Sequence, residues 1–260
     1  MKCKTIIRRL EEKYPLTFAE KWDNVGLLVG DEEKEVSRIF LALDVTSDVL
    51  KKASDWGADM IITHHPLIFS EIKQIIAQNY LGTRIIQLIK QDIAYYAMHT
   101  NYDVCKMADL SAQILQLSDT SILEVTFDDG THREGIGRVG KLPKVMTVRE
   151  CAGYVKERLE LSHVTVYGDL NRKVELAAIS AGSGKSMVNA GVKKGAEVLI
   201  TGDIDYHTGI DAIEKGITII DAGHYGTEYI FIEDLRHTLK EMVPELKIQQ
   251  MEVVHPEHLI

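Results

Sequence analysis

The chain reads as short apolar runs that each break off into polar residues, separated by amphipathic stretches. Arg38–Asp44 (RIFLALD), Met60–Ile62, Ile93–Met98, Val164–Tyr167, Val174–Ile179, Val198–Ile200, Ile217–Ile220 and Lys247–Val254 have strand length and strand composition. A further apolar run follows the turn-forming Asp23-Asn24 in WDNVGLLVG. Apolar positions at helical spacing predict helices over 4–14, 49–56, 82–90, 109–117, 187–194 and 227–242, and one more ending near Lys215. Thr46-Ser47-Asp48 is a helix cap, and Thr147-Val148-Arg149-Glu150 is a capping box for a helix reaching Leu159. Residues 38–65 therefore form a strand–helix–strand unit, long enough for a right-handed parallel crossover.

This alternation predicts an α/β protein. Ser118–Lys144 interrupts it with turn residues and the closely spaced Gly135, Gly137 and Gly140, and marks a boundary. The expected organisation is two related α/β units with mixed, largely parallel sheets flanked by helices. Residues 1–124 form the first, completed in one version by 225–260, and residues 125–224 form the second. The two halves share a grammar but no residue-level repeat.

Composition narrows the classes. The 260 residues are 45% hydrophobic and 27% charged, as in globular proteins. A net charge of −9 disfavours nucleic-acid binding, and no Lys/Arg cluster offsets it. Cys3, Cys105 and Cys151 are scattered and odd in number, which suits a reducing compartment. With no signal-peptide pattern and no run of membrane-spanning length, the expected location is cytoplasmic, with no membrane partner.

The candidate chemistry sits where the apolar runs end. In IITHHPLIF a buried strand stops at Pro66, and the backbone can turn there so that His64 and His65 face one point. Neutral imidazoles so placed suit Zn, Fe, Mn or Ni; two unrelated histidines, one buried and one wet, are the alternative. Other strand ends carry His99 and Asp103, then Asp203, Asp205 and His207, then His224 and Glu228. Ligands bind at strand C-termini in open α/β sheets, so this clustering points to a metal site. His224 and Glu228 share a helix face if their turn is helical. Asp23 and Asn24 are site-lining candidates. Gly184-Lys185-Ser186 is no P-loop, because Ile179 stands where that motif needs glycine. Cys105 is a packing residue rather than a soft ligand.

WDNVGLLVG, IITHHPLIF, HTNYD, GDIDYH and GHYGTE, in that order, resemble the Nif-three-like dinuclear-metal family, whose members are named GTP cyclohydrolase I type 2 homologues. The resemblance spans Trp22 to Glu228 and is to the short bacterial form, which lacks an inserted domain. It implies two divalent ions held by His64, His65, Asp103, His224 and Glu228, in a cleft between the units. It also implies a ring-shaped homohexamer. His99 and His207 become candidates for proton transfer or for orienting ligands, with Asp203 lining the site. The expected activity is metal-dependent hydrolysis of a small-molecule substrate. One form is cyclohydrolase-like opening of a purine nucleotide ring by a metal-bridging hydroxide. Hydrolysis of another phosphoester or amide, and a non-enzymatic metal-binding regulatory or scaffold role, are the alternatives.

Overall fold

Each apolar run becomes a strand because its alternate or continuous branched side chains cover both faces of a sheet. In a computed structural model, which describes residues 1–252, the strands are β1 (Gly26–Val29), β2 (Arg38–Ala42), β3 (Met60–Thr63), β4 (Ala94–Ala97), β5 (Ser118–Asp128), β6 (Arg133–Thr147), β7 (Thr165–Tyr167), β8 (Lys173–Ser183), β9 (Val198–Gly202), β10 (Thr218–Asp221) and β11 (Lys247–Gln250). They form two mixed sheets flanked by helices, with strand orders β1-β4-β3-β2-β11 and β5-β6-β8-β9-β10-β7. The part of the expected last strand beyond residue 252 lies outside the described residues.

The first unit comprises, among the described residues, Met1–Tyr102 and 229–252. Its β11, β2, β3 and β4 are parallel, and β1 runs antiparallel at the edge beside β4. The crossover helix Ser47–Trp56 begins where Thr46 Oγ1 accepts the Val49 N–H at 3.1 Å. It ends at Gly57, whose φ of +74° is the left-handed closure that glycine adopts without strain. Phe40, Val49, Leu50, Ile61, Leu88 and Tyr95 are buried together, each side chain contributing about 1.5–3 kcal/mol of burial. The C-terminal ends of β2, β3 and β4 emerge at one edge. The start of β1 joins them, because Gly26 pairs with Ala97 at the end of β4.

The second unit is Asp103–Glu228 among the described residues. Residues 103–124 thus pack with the second sheet rather than the first. Here β8, β9 and β10 are parallel, while β5, β6 and β7 add antiparallel neighbours. The stretch expected as a boundary is a long hairpin, β5–β6. Its register shifts break the two-residue alternation that betrays a strand, and its glycines mimic turn residues. At Gly135 a Cβ would lie 1.9 Å from the Glu124 carbonyl oxygen, so that glycine serves close strand approach. The capping box at Thr147 forms, with reciprocal bonds between Thr147 and Glu150. The expected helix 227–242 is instead two, His224–Glu228 and Ile230–Met242, with the break falling at the boundary between units.

One buried hydroxyl fixes the turn after β3. The Tyr95 hydroxyl donates to the His65 carbonyl at 2.9 Å and accepts the Leu67 N–H at 2.8 Å, while Thr63 Oγ1 donates to the same carbonyl at 2.7 Å. Tyr95→Phe strands the Leu67 amide. It should cost about 1–3 kcal/mol of unfolding free energy in urea denaturation. An unchanged midpoint would show that the turn is held by other contacts.

Candidate metal centre

In the first unit, three histidines stand on neighbouring strand ends. His64 is fully buried, and its Nδ1 lies 2.8 Å from the Met98 carbonyl oxygen. A carbonyl only accepts, so Nδ1 carries the proton and the lone pair sits on Nε2. His65 places Nδ1 3.0 Å from Asp44 Oδ1, at the end of β2. His99 places Nδ1 2.9 Å from Asp23 Oδ1. Each imidazole is therefore oriented through one nitrogen by an oxygen from an adjacent strand end, the arrangement that directs histidines toward a metal. One donor atom from each of His64, His65 and His99 lies within 4.8 Å of the others.

Asp23 is the buried member of this shell. Burial raises its carboxyl pKa, but hydrogen bonds from His99 and from Thr100 outweigh that and hold it at about 2. It stays ionised at neutral pH and anchors the His99 ring. Asn24 Nδ2 donates to the Ile68 carbonyl at 2.6 Å, tying the loop before β1 to the loop after β3.

In the second unit, His224 and Glu228 occupy the five-residue helix His224–Glu228 after β10. His224 Nδ1 is 2.7 Å from Asp203 Oδ2, and Nε2 is 3.1 Å from Glu228 Oε2. Glu228 is buried. Burial alone would lower the His224 pKa, but Glu228 and Asp203 more than compensate and raise it to about 9. Two glycines admit this pair. A Cβ on Gly182, whose φ is +68°, would sit 2.2 Å from Glu228 Oε1. A Cβ on Gly202 would sit 2.4 Å from the His224 backbone nitrogen. The Gly182 N–H also donates to Thr227 Oγ1 at 2.9 Å.

Asp103 is half-buried and opens the π-helical segment Asp103–Met107, directly after the His99–Tyr102 turn. His207 is exposed on the helix Tyr206–Glu214, its ring 5.4 Å from Tyr206, and it joins no metal-type cluster among the described residues. Lys185 pairs with Asp205 at 2.8 Å, so the GKS segment presents its lysine to a carboxylate. Burial pushes the Cys105 thiol up to about 12, far from a thiolate ligand. The orienting role of Asp44 was not read from the sequence. Its only signal was its place at a strand end matching those of the histidines.

The donor set fits a first-row divalent metal: imidazole nitrogens with preset tautomers, plus carboxylate. The chain matches the Duf34/NIF3 (NGG1p interacting factor 3) family over residues 1–257, and it belongs to that family. It is 40% identical over 243 residues to a Clostridium perfringens protein named GTP cyclohydrolase 1 type 2 homolog, covering 93% of this chain and 92% of that one. Among solved structures it resembles the Staphylococcus aureus hypothetical protein SA1388, with 30% identity, a TM-score of 0.90, and coverage of 100% and 99%. It also resembles reduced HcgD from Methanocaldococcus jannaschii, with 31% identity, a TM-score of 0.83, and coverage of 97% and 98%.

The His224 environment makes a direct prediction. In metal-free protein its ring should titrate near pH 9 by two-dimensional NMR, and Asp203→Asn should move that value down toward 6.5. Because the folded pKa lies above the unfolded one, the stabilisation is complete below about pH 6.5 and disappears as pH rises through about 9. A ring titrating near 6.5 in the wild type would contradict the geometry.

Proposed function

We propose that the chain is a dinuclear metal-dependent hydrolase in which His64, His65, Asp103, His224 and Glu228 hold two divalent ions. The observation that carries this reading is the shell behind the histidines. Three imidazoles at the ends of β3 and β4 have Nδ1 held by the Met98 carbonyl, Asp44 or Asp23. A hydrogen bond to each ring would satisfy a structural histidine as well; what favours metal binding is that the three oriented rings bring donor atoms within 4.8 Å of one another. His99 enters as the third imidazole of that cluster, adding to the roles expected for it. In the second unit, Nε2 of His224 and the adjoining Glu228 carboxylate are the donors that would hold a cation.

Bound divalent ions supply Lewis acidity and an activated water for hydrolysis. The protein's part is to hold these donors rigidly and to keep Asp23 ionised. The curated relatives carry the name GTP cyclohydrolase 1 type 2 homolog, which favours a purine nucleotide as substrate and opening of its five-membered ring as the reaction. A ring-shaped homohexamer belongs to the same proposal.

The test has two parts. Elemental analysis of purified protein should find about two first-row ions per chain. Metal-reconstituted protein should turn over GTP or a related nucleotide, and Glu228→Gln should reduce turnover at least a hundredfold while the circular dichroism is unchanged. Absence of bound metal, or equal activity in Glu228→Gln, would overturn the reading. Bound metal without turnover on nucleotides, phosphodiesters and amides would favour the regulatory alternative.

A further inference from the structure

Two large aromatic side chains beside the histidine cluster are left in the open. Trp22 is 57% exposed and Phe69 53%, although burying either would stabilise the fold. Their ring centroids are 5.6 Å apart. Both pack edgewise against His99, at 5.9 Å for Trp22 and 6.3 Å for Phe69. They line an open pocket of about 640 Å³ with Asn24, Ile68, Ser70 and Glu71, a volume suited to a small molecule. The pocket is a built feature. Its two walls, the loop before β1 and the loop after β3, are cross-tied by the Asn24–Ile68 hydrogen bond at 2.6 Å. Asp23 fixes the adjoining His99.

We propose that this pocket binds the planar heteroaromatic ring of the substrate, stacked on one of the two tilted rings, Trp22 or Phe69, and packed against the other, with the Glu71 carboxylate accepting N–H groups on the ring's edge. Stacking is the interaction two exposed aromatic faces offer, and it tolerates any flat ring. Selectivity comes from the polar rim. A carboxylate only accepts hydrogen bonds, so it favours an edge carrying adjacent donors, as guanine does, over one presenting an acceptor, as adenine does. The inference rests on the hydrolase reading in one respect, that the histidine cluster next to the ring is where reaction occurs. Binding of the ring itself does not depend on it.

The experiment is calorimetric titration of full-length protein with guanosine, adenosine and ribose, accompanied by elemental analysis of each variant. Guanosine should bind saturably and more tightly than adenosine, and ribose should not bind. Trp22→Leu and Phe69→Leu should each weaken guanosine about tenfold or more, the scale of one lost base–aromatic stack, with metal content unchanged. Glu71→Gln should narrow the preference for guanosine over adenosine while leaving the metal in place. Failure of guanosine to bind, or wild-type affinity in both aromatic variants, overturns the proposal. Guanosine binding that depends on Trp22 in a protein without hydrolytic turnover would support the pocket and count only against the hydrolase reading.

Discussion

Each strand-end histidine depends on a hydrogen bond from its Nδ1 to an oxygen on a neighbouring strand end. That single contact sets the tautomer, the direction of the ring, and the nitrogen left to meet a ligand. It can form only if the strands are parallel and in register, so that Asp44, His64, His65 and His99 emerge at one edge. β2, β3 and β4 are paired in that way, with Ala42 opposite Thr63 and Thr63 opposite Ala97. The edge strand β1 is antiparallel, which brings Asp23, just before its start, to the same place. The chemistry of the first unit is thus a consequence of its sheet topology.

The second unit reaches a comparable end by different means. Its pair is local, four residues apart in one helical turn, and needs no strand register to meet. What it needs is room. Gly182 and Gly202 provide it at the ends of β8 and β9, where any side chain would collide with Glu228 or with the backbone of His224. Burial of Glu228 makes the contact strong in both directions. A buried carboxylate favours a cationic neighbour, and the His224 imidazolium 3.1 Å away is one.

Much of this was legible in the sequence, for physical reasons. An apolar run that stops at a proline or at histidines is a buried strand whose end must be polar, so His64, His65 and the His99 segment declared themselves. The HYGTE spacing declared the second pair. Contacts across the sheet were harder to see, because strand order is not written locally; the pairing of Asp44 with His65 is of this kind. The β5–β6 hairpin was hidden by bulges that spoil alternation, and by glycines placed for close strand approach rather than for turns. The separation of His224–Glu228 from Ile230–Met242 was hidden because apolar periodicity continues across Tyr229.

Anomalous X-ray diffraction from crystals of the full chain soaked in Mn²⁺ or Zn²⁺ would locate the bound ions. Anomalous density is expected at Nε2 of His64 and of His65 and at the His224–Glu228 pair, with Nδ1 of each first-unit histidine still on Met98, Asp44 or Asp23. Ions bound only at exposed carboxylates, or histidine rings flipped to bind through Nδ1, would contradict this arrangement.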